Sequence, residues 1–360
     1  MDKVVLGMSG GVDSSVAALL LQKKGYEVHG FFMNAGKHKR KYWPSSINWR
    51  EEERIVGEIC EKLGIELYVV DCEDSYEKNI IGPMVEDYKK GLTPNPDILC
   101  NNIGKFPGLI KRADAIGAKH IATGHYARVR KTKNGIQLLQ GMDKSKDQSY
   151  FICNLPQKIL ERCLFPIGDY TKEEIRKIAK KNGFSNFDKK SSRGICYLGK
   201  IDVKKFLHSR VKEKRGKVVS IKGEVVGRHP GVMFFTIGER VGEKKGFEIF
   251  PNYKKRHAGD KLYIAEKKRN NILVIAPQGD NSLKRKKVFI NGFKLVNKDE
   301  TLNGLKARIR HLGKLESGKL SKRNGKWVFE FSNGIEGIAE GQTIVIHKGN
   351  RIVACGEIRI

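Results

Sequence analysis

The chain has 360 residues, of which 39% are hydrophobic, so it is long enough for two or three domains that each bury a core. It carries 70 Lys+Arg against 40 Asp+Glu, and residues 201–360 alone hold 36 basic and 16 acidic residues. This charge favours a polyanionic partner, nucleic acid or an anionic membrane surface, although a generally charged surface gives the same count. No apolar run reaches the about 20 residues that cross a bilayer, and no secretory pattern opens the chain. We therefore expect a soluble cytoplasmic protein with no membrane partner.

Seven cysteines are spread along the sequence, and no two of them form a Cys-x-x-Cys pair. An odd number in a cytoplasmic chain argues against a disulfide framework. The spacing gives no local support for zinc or iron–sulfur binding, so we predict no metal site built from the protein alone.

The first 200 residues alternate strand and helix patterns, which is typical of a parallel sheet with helices on both faces. We therefore predict an α/β domain over residues 1–204. A β-hairpin is expected at 128–140, and Thr171 with Glu174 forms a capping-box pattern. The basic segment 37–50 interrupts the alternation, and no role is assigned to it. The predicted strands of the domain lie at 3–8, 26–33, 65–70 and 120–123.

From about residue 205 the pattern changes to short β-like runs separated by turn residues. This sequence pattern predicts two small β domains, at 205–280 and 281–360, of which the last is barrel-like. The runs expected as strands lie at 217–221, 231–235, 261–264, 272–276, 287–290, 305–309, 327–331, 343–347 and 352–360.

A glycine-rich loop, GMSGGVDSS at residues 7–15, follows the first strand and opens a helix. Adjacent glycines let backbone N–H groups approach a phosphate, and a helix N-terminus favours an anion. No Gly-Lys-Ser/Thr closes the loop, so it is not a Walker A loop. The string matches the pyrophosphate-binding loop of N-type ATP pyrophosphatases, with a plain strand–turn–helix as the alternative. The residues predicted to hold ATP phosphates are Gly7, Met8, Ser9, Gly10, Gly11, Val12, Asp13 and Ser14.

Two cysteines stand in polar, turn-rich surroundings. In TPNPDILCN, two prolines frame Asn95 and Asp97, and Cys100 follows at the expected start of a helix, whose dipole would lower a thiol pKa. In SRGICYLG, glycines bracket Cys196, and nearby cations favour its thiolate. The alternative for each is a buried structural cysteine. The cations near Cys196 in the sequence are Lys189, Lys190, Arg193 and Lys200.

Two further strings are less specific. ATGHY ends the fourth strand at Gly124 and His125, on the edge where open α/β sheets bind ligands. KDQSYF, at 146–151, mixes charged, amide and aromatic groups that suit RNA recognition, but an ordinary capped helix has the same composition.

Nine strings, taken in this order, resemble the bacterial tRNA-specific 2-thiouridylases, and the resemblance covers the whole chain: GMSGGVDSS, FFM, TPNPDILCN, KF, ATGHYAR, KDQSYF, LFPIG, IRKIA and GICYLG. It implies an N-type ATP pyrophosphatase (adenine nucleotide alpha hydrolase-like) domain followed by two β domains. The chain departs from the family at Ile309, where a stacking tyrosine is usual, at Ser191-Ser192-Arg193 in place of Asp-Ser-Thr, and at Asn102 in place of Lys/Arg.

The resemblance also implies roles for single residues. Met33 and Gly124 would line the adenine side of an ATP site, and Mg²⁺ would accompany the ATP. Asn95, Pro96 and Asp97 would contact the target uracil, with Asp97 as candidate general acid/base. Cys196 would carry the transferred sulfur, and Cys100 would resolve the persulfide. The residues implied in tRNA contact are Lys146, Asp147, Gln148, Arg308 and Ile309.

The implied reaction replaces the C2 oxygen of a wobble uridine in tRNA with sulfur, at the expense of ATP. A cysteine desulfurase or sulfur-relay protein would supply the sulfur. Two other functions keep the same loop: an ATP-pyrophosphatase ligase with another acceptor, and a non-enzymatic RNA-binding protein. The two positioned cysteines and the basic β half argue against the ligase, and the intact loop argues against the binding protein.

Overall fold

The structure is a computed structural model that describes residues 1–36, 46–190, 194–296 and 302–360. Its first part is built on a five-stranded parallel sheet of order β3-β2-β1-β4-β7. The elements up to residue 181 are β1 (Lys3–Met8), α1 (Val12–Lys23), β2 (Glu27–Asn34), α2 (Trp49–Leu63), β3 (Glu66–Asp71), α3 (Glu73–Tyr76), α4 (Gly82–Lys89), α5 (Pro96–Leu99), α6 (Phe106–Ala115), β4 (His120–Thr123), β5 (Ala127–Thr132), β6 (Gly135–Gln140), α7 (Gln157–Leu160), β7 (Cys163–Leu164) and α8 (Lys172–Lys181).

Strand β1 lies at the centre of this sheet, and its Val4, Val5 and Leu6 are fully buried. Helices α1, α2 and α8 cover one face and α6 covers the other. A central parallel strand buried on both faces reads as a continuous apolar run, which is why the sequence pattern located it. The α/β prediction is confirmed. Strand β7 was not predicted, because two residues are too few to give a sequence pattern.

The predicted hairpin at 128–140 is present as β5 and β6, and the Thr171–Glu174 capping box begins α8. Most of the basic segment 37–50 lies outside the described residues. Of the part that is described, Asn48 caps α2 by accepting a hydrogen bond from the Glu51 amide.

The central part holds a five-stranded sheet of order β10-β9-β8-β12-β11. The run at 231–235 is not a strand, and that prediction was wrong. Val232–Phe234 form a 3₁₀ turn, because Gly231 has a φ of +153° that breaks an extended chain and Phe234 stacks on His208 at 3.9 Å. The elements are α9 (Val203–His208), β8 (Gly216–Ser220), β9 (Val225–His229), β10 (Glu248–Ile249), α10 (Pro251–Arg256), β11 (Leu262–Lys268) and β12 (Ile272–Pro277).

The last part is a closed barrel of six strands, in which β13 pairs with both β16 and β18. This confirms the predicted barrel. Strand β15 was missed, because its sequence ESGKLSKR lacks apolar alternation. The strands are β13 (Lys284–Leu295), β14 (Leu305–Arg308), β15 (Glu316–Arg323), β16 (Lys326–Glu336), β17 (Thr343–Lys348) and β18 (Arg351–Arg359).

The barrel and the first domain share a core. The β5–β6 hairpin continues the barrel sheet, with Leu138 opposite Ile352. Val345 and Cys355 of the barrel are buried in the same apolar cluster as Phe106 of α6. The barrel therefore packs directly against the first domain. In the described parts of the chain, no helix has the length and apolarity needed to cross a membrane.

Candidate active site

The glycine-rich loop joins β1 to α1 in a compact turn. Gly11 is the N-cap residue of α1, and the hydroxyls of Ser14 and Ser15 donate to the Gly11 carbonyl oxygen at 3.0 and 3.2 Å. Gly10 has a φ of +63°, and a Cβ there would lie 2.3 Å from the Glu52 carboxylate. Glycine is therefore required at that position. The loop places the N-terminus of α1 at the carboxyl edge of the sheet, where an anion would be stabilised.

Asp13 lies in the first turn of α1 but does not cap the helix. Its carboxylate accepts hydrogen bonds from the Tyr126 hydroxyl at 2.8 Å and from Lys172 Nζ at 2.7 and 2.8 Å. Lys172 is the first residue of α8, whose start is fixed by the capping box. Neither Tyr126 nor Lys172 was predicted as a site residue. Together they bring an ammonium group to the loop, where a polyphosphate would need positive charge.

The two residues predicted for the adenine side lie at the same edge. Gly124 follows β4, and a Cβ there would lie 2.8 Å from the Ser14 amide nitrogen, so a side chain would push the loop away. Met33 is near the end of β2, and its sulfur is 3.5 Å from the Tyr197 hydroxyl. Their contact with adenine stays a prediction, but their position beside the loop is consistent with it.

Cys100 and Cys196, which are 96 positions apart in the sequence, meet with their sulfur atoms 3.7 Å apart. Cys100 lies inside a helical segment that begins at Pro96, with the Asn95 side chain capping it at the Ile98 amide. Cys100 is 1% exposed, and Cys196 is half-buried on the loop that follows α8. Two sulfurs at this distance need only a small approach to form a disulfide bond, so the pair is arranged for exchange between them.

Asp97 holds the Cys196 loop in place. Its carboxylate accepts a hydrogen bond from the Cys196 amide at 2.7 Å, and the Tyr76 hydroxyl donates to the Cys196 carbonyl oxygen. Asp97 is therefore not the helix cap, which is Asn95. Burial raises the pKa of Asp97, which is a condition for proton transfer near neutral pH, and its general acid/base role stays a prediction.

Tyr197, the residue after Cys196, has a left-handed backbone with a φ of +63°. A bulky residue in this region is strained by about 1–3 kcal/mol and persists only when its surroundings hold it. Here the Tyr197 ring stacks on Trp49 at 5.7 Å and meets the edge of Tyr76 at 5.3 Å. These contacts fix the direction in which Cys196 points, toward Cys100.

The two thiols differ in acidity. The hydrogen bond from Cys100 lowers the pKa of Cys196 against the effect of burial, and the charge of Lys105 lowers it further. The same hydrogen bond and burial raise the pKa of Cys100 well above its usual value. The prediction that the helix dipole lowers the Cys100 pKa was therefore wrong, because Cys100 lies beyond the first turn, where that effect fades.

The cation expected beside Cys196 also differs from the prediction. Of the four basic residues expected to act on Cys196, Lys189 is bound to the Glu52 carboxylate at 2.7 Å and to the Gly10 carbonyl oxygen at 3.3 Å. Arg193 lies outside the described residues. Lys105 acts on the sulfur instead, from the KF string that sequence reasoning noted but gave no role.

The residues implied in tRNA contact are all buried or half-buried. Asp147 and Arg308 are almost fully buried and form an ion pair at 2.5 Å between the first domain and the barrel. Ile309 is also buried, and the Gln148 side chain accepts a hydrogen bond from the Tyr126 amide at 3.0 Å. Lys146 is half-buried. A tRNA contact by these residues stays a prediction, and any contact through the Asp147 or Arg308 side chains would require the ion pair to open.

We expect Arg308→Ala to lower the free energy of unfolding by about 3–5 kcal/mol, because it leaves the Asp147 carboxylate buried without its partner. Denaturant unfolding followed by circular dichroism measures this change. The matched control is the double variant Asp147→Asn with Arg308→Met, which removes both charges and should recover most of the loss. Equal loss in both proteins would show that packing, rather than the unpaired charge, determines the effect.

Comparison with known proteins places this site in a family. The tRNA methyl transferase HUP domain matches residues 2–200, the tRNA methyl transferase PRC-barrel domain residues 204–277, and the aminomethyltransferase β-barrel domain residues 285–358. The tRNA-specific 2-thiouridylase MnmA of Hydrogenovibrio crunogenus is 36% identical over 359 residues, covering 96% of this chain and 91% of that protein. The chain belongs to the tRNA-specific 2-thiouridylase family.

A second member of the family, from Vesicomyosocius okutanii, is 37% identical and covers 96% of this chain and 94% of its own. Among solved structures, a 4-thiouridine synthetase–RNA complex with bound ATP is 20% identical, with a TM-score of 0.37, over 54% of this chain and 44% of that one.

Proposed function

We propose that the protein catalyses the ATP-dependent 2-thiolation of the wobble uridine of tRNA. The observation that carries the proposal is the meeting of Cys100 and Cys196, 3.7 Å apart, at the sheet edge that also holds the glycine-rich loop. The two sites are adjacent, because Met33, which lies beside the glycine-rich loop, contacts Tyr197, the residue that follows Cys196. Full-length similarity to named tRNA-specific 2-thiouridylases supports the same reaction.

The chemistry requires an activated oxygen, because the C2 carbonyl of uracil is a poor electrophile. ATP adenylates that oxygen and releases pyrophosphate. A persulfide on Cys196 attacks C2 through its terminal sulfur, and AMP leaves. The Cys100 thiolate then attacks the Cys196 sulfur, which forms a Cys100–Cys196 disulfide and leaves the transferred sulfur on C2. A reductant reopens the disulfide for the next turnover.

The nucleotide would enter as its Mg²⁺ complex, since Mg²⁺ is usually bound by one or two carboxylates and the substrate phosphates. Asp13 fits this need, because its carboxylate lies at the loop and is 29% exposed. Lys172 and the N-terminus of α1 would stabilise the phosphate charge. Asp97 lies beside the sulfur pair, where a flipped-out uracil would have to sit, and Asn95 and Pro96 begin the same short helix.

Binding of tRNA is supported by a basic cavity of about 550 Å³ in the central part of the chain. Its lining includes Lys204, Lys205, Arg215, Arg228, Lys244 and Lys245. The exposed Arg215 and Arg228 give this surface the charge that phosphate contacts need, in the half of the chain where basic residues are in largest excess.

We expect the double variant Arg215→Ala, Arg228→Ala to reduce the slope of log affinity for tRNA against log salt concentration by about 2. Filter binding at several salt concentrations measures the slope. The control is Lys23→Ala with Lys24→Ala at the end of α1, which removes the same charge. If the two double variants gave the same slope, the basic cavity would not be a tRNA contact.

The sulfur would come from a cysteine desulfurase or a sulfur-relay protein, by persulfide transfer to Cys196. We place the protein in the cytoplasm, where thiols are kept reduced.

A second candidate is methyl transfer to tRNA, which the matching domain descriptions name. Mass spectrometry of nucleosides separates the two, because it distinguishes replacement of oxygen by sulfur from addition of a methyl group. Wobble-uridine tRNA is incubated with the protein, MgATP and a desulfurase with cysteine. The expected product is 2-thiouridine, formed only when ATP is present. A methylated nucleoside, formed with S-adenosylmethionine and without ATP, would establish the other activity.

A further inference from the structure

Lys105 lies beside the two sulfur atoms because of the local form of the helix. Residues Cys100–Lys105 form a π-helical turn between α5 and α6. In an α-helix, positions i and i+5 are about 140° apart around the axis. A π-helical turn pairs residue i with residue i+5, so Cys100 and Lys105 come to the same side of the helix.

The ammonium group of Lys105 is surrounded by the groups that take part in sulfur transfer. The charges of Cys196, Cys100 and Asp97 act on it, so these groups lie close to it. It also lies 5.9 Å from the centre of the Tyr197 ring. Burial disfavours the charged form of Lys105, but the charges of Cys196, Cys100 and Asp97 outweigh it and raise the Lys105 pKa. Lys105 is therefore a cation at neutral pH.

Burial raises the pKa of Cys72, Tyr76 and Tyr197, so these neighbours of the sulfur pair are neutral near neutral pH. His125, which faces Lys105, does not compete for this role either. Burial and then the charge of Lys105 hold the His125 pKa well below its usual range, so His125 is neutral. Its Nδ1 is 2.8 Å from the Thr123 hydroxyl. The positive charge that acts on the sulfur pair from this helix is that of Lys105.

We propose that Lys105 is a catalytic residue that holds the negative charge of the sulfur pair, first on Cys196 during sulfur loading and then on Cys100 during release of the product. The proposal rests on the sulfur-transfer function given above and adds a residue to it. In loading, the Cys196 thiolate attacks the terminal sulfur of a donor protein persulfide. A new S–S bond forms on Cys196, the donor S–S bond breaks, and the donor cysteine leaves as a thiolate. No external oxidant is needed.

In the release step the Cys100 thiolate attacks Cys196, and the electrons of two thiolates reduce the transferred sulfur. Cys100 is buried, and burial disfavours its ionised form. Lys105 counters this, because its charge acts on Cys100 as well as on Cys196. A single ammonium group whose charge acts on both sulfurs can therefore serve both steps.

The test measures the ionisation of Cys196 directly, without tRNA or ATP. The protein is alkylated with iodoacetamide across a pH series, and the Cys196 peptide is quantified by mass spectrometry. In the wild type we expect half-maximal reactivity of Cys196 below the about 8.5 of an ordinary thiol. Lys105→Met should shift it upward by about one pH unit, which lowers the thiolate fraction at neutral pH about tenfold. Lys105→Arg, which keeps the positive charge, should have a midpoint close to that of the wild type.

Because Cys100 also lowers the Cys196 pKa, the series is repeated in a Cys100→Ala background, in which the effect of Lys105 is isolated. An unchanged midpoint for Lys105→Met in that background would overturn the proposal, as would a wild-type midpoint at or above that of an ordinary thiol. Circular dichroism checks folding, and Lys105→Gln replaces Lys105→Met if the latter does not fold. Formation of 2-thiouridine by the wild type tests the proposed function separately, so the two can fail independently.

Discussion

Cys196→Ser is expected to abolish 2-thiouridine formation, with a loss of about three orders of magnitude or more when a desulfurase is the sole sulfur donor. A serine hydroxyl cannot form a persulfide, so sulfur is not loaded. Incubation with radiolabelled cysteine and desulfurase, followed by non-reducing electrophoresis, measures loading. Cys100→Ser should still accept sulfur but should not turn over, because the bond between Cys196 and the transferred sulfur is then not cleaved. Both variants should consume ATP slowly with tRNA, since adenylation uses neither thiol.

The matched control is Cys60→Ala, which removes a buried thiol from the core between α2 and the sheet. Burial raises the Cys60 pKa to about 11, so this thiol is unreactive near neutral pH. Its replacement should therefore affect the packing of the core and leave 2-thiouridine formation unchanged. Cys72 is a poorer control, because it is close enough to Cys196 for the charge of one to affect the other. Near wild-type yield of 2-thiouridine from Cys196→Ser would rule out the persulfide mechanism.

The parts of the site that the sequence predicted are those that depend on local backbone geometry. The glycine-rich loop needs a left-handed residue at Gly10 and a helix that starts directly after Gly11, and both requirements are visible in the string itself. The parallel sheet was predicted for a similar reason, because strands buried on both faces leave continuous apolar runs. Cys196 was recognised from the glycines that bracket it.

What the sequence could not show arises from contacts between distant segments. Tyr76, Tyr126 and Lys172 join the site through folding, 113 to 159 positions from their partners, and no local pattern marks them. Lys105 was missed because the α-helical period places it on another face than Cys100, and only the π-helical turn brings the two together. The burial of Arg308 against Asp147 was missed because charged residues are assigned to the surface by default.

Asp13→Ala should lower pyrophosphate release by about 100-fold or more while leaving tRNA affinity nearly unchanged, because we propose that basic residues of the β domains supply most of that affinity. Radiolabelled pyrophosphate release and filter binding of tRNA measure the two properties in the same preparation. The physical reason is position: the Asp13 carboxylate lies at the N-terminus of α1 and binds Lys172 and Tyr126. Without it, Lys172 loses its orientation, and the carboxylate that we propose for the Mg²⁺ complex of the nucleotide is absent.

The variant also leaves the Lys172 ammonium, whose side chain is 11% exposed, without its partner, so a loss of stability could imitate a loss of catalysis. Asp13→Asn keeps the shape and a hydrogen-bond acceptor, and the double variant Asp13→Ala, Lys172→Met removes both charges. We expect both to be folded and still defective in pyrophosphate release. Asp169→Ala, which removes an exposed carboxylate paired with Arg128, should retain activity. If Asp13→Ala lost pyrophosphate release and tRNA affinity equally, and Asp13→Asn recovered both, the carboxylate would be structural rather than part of the nucleotide site.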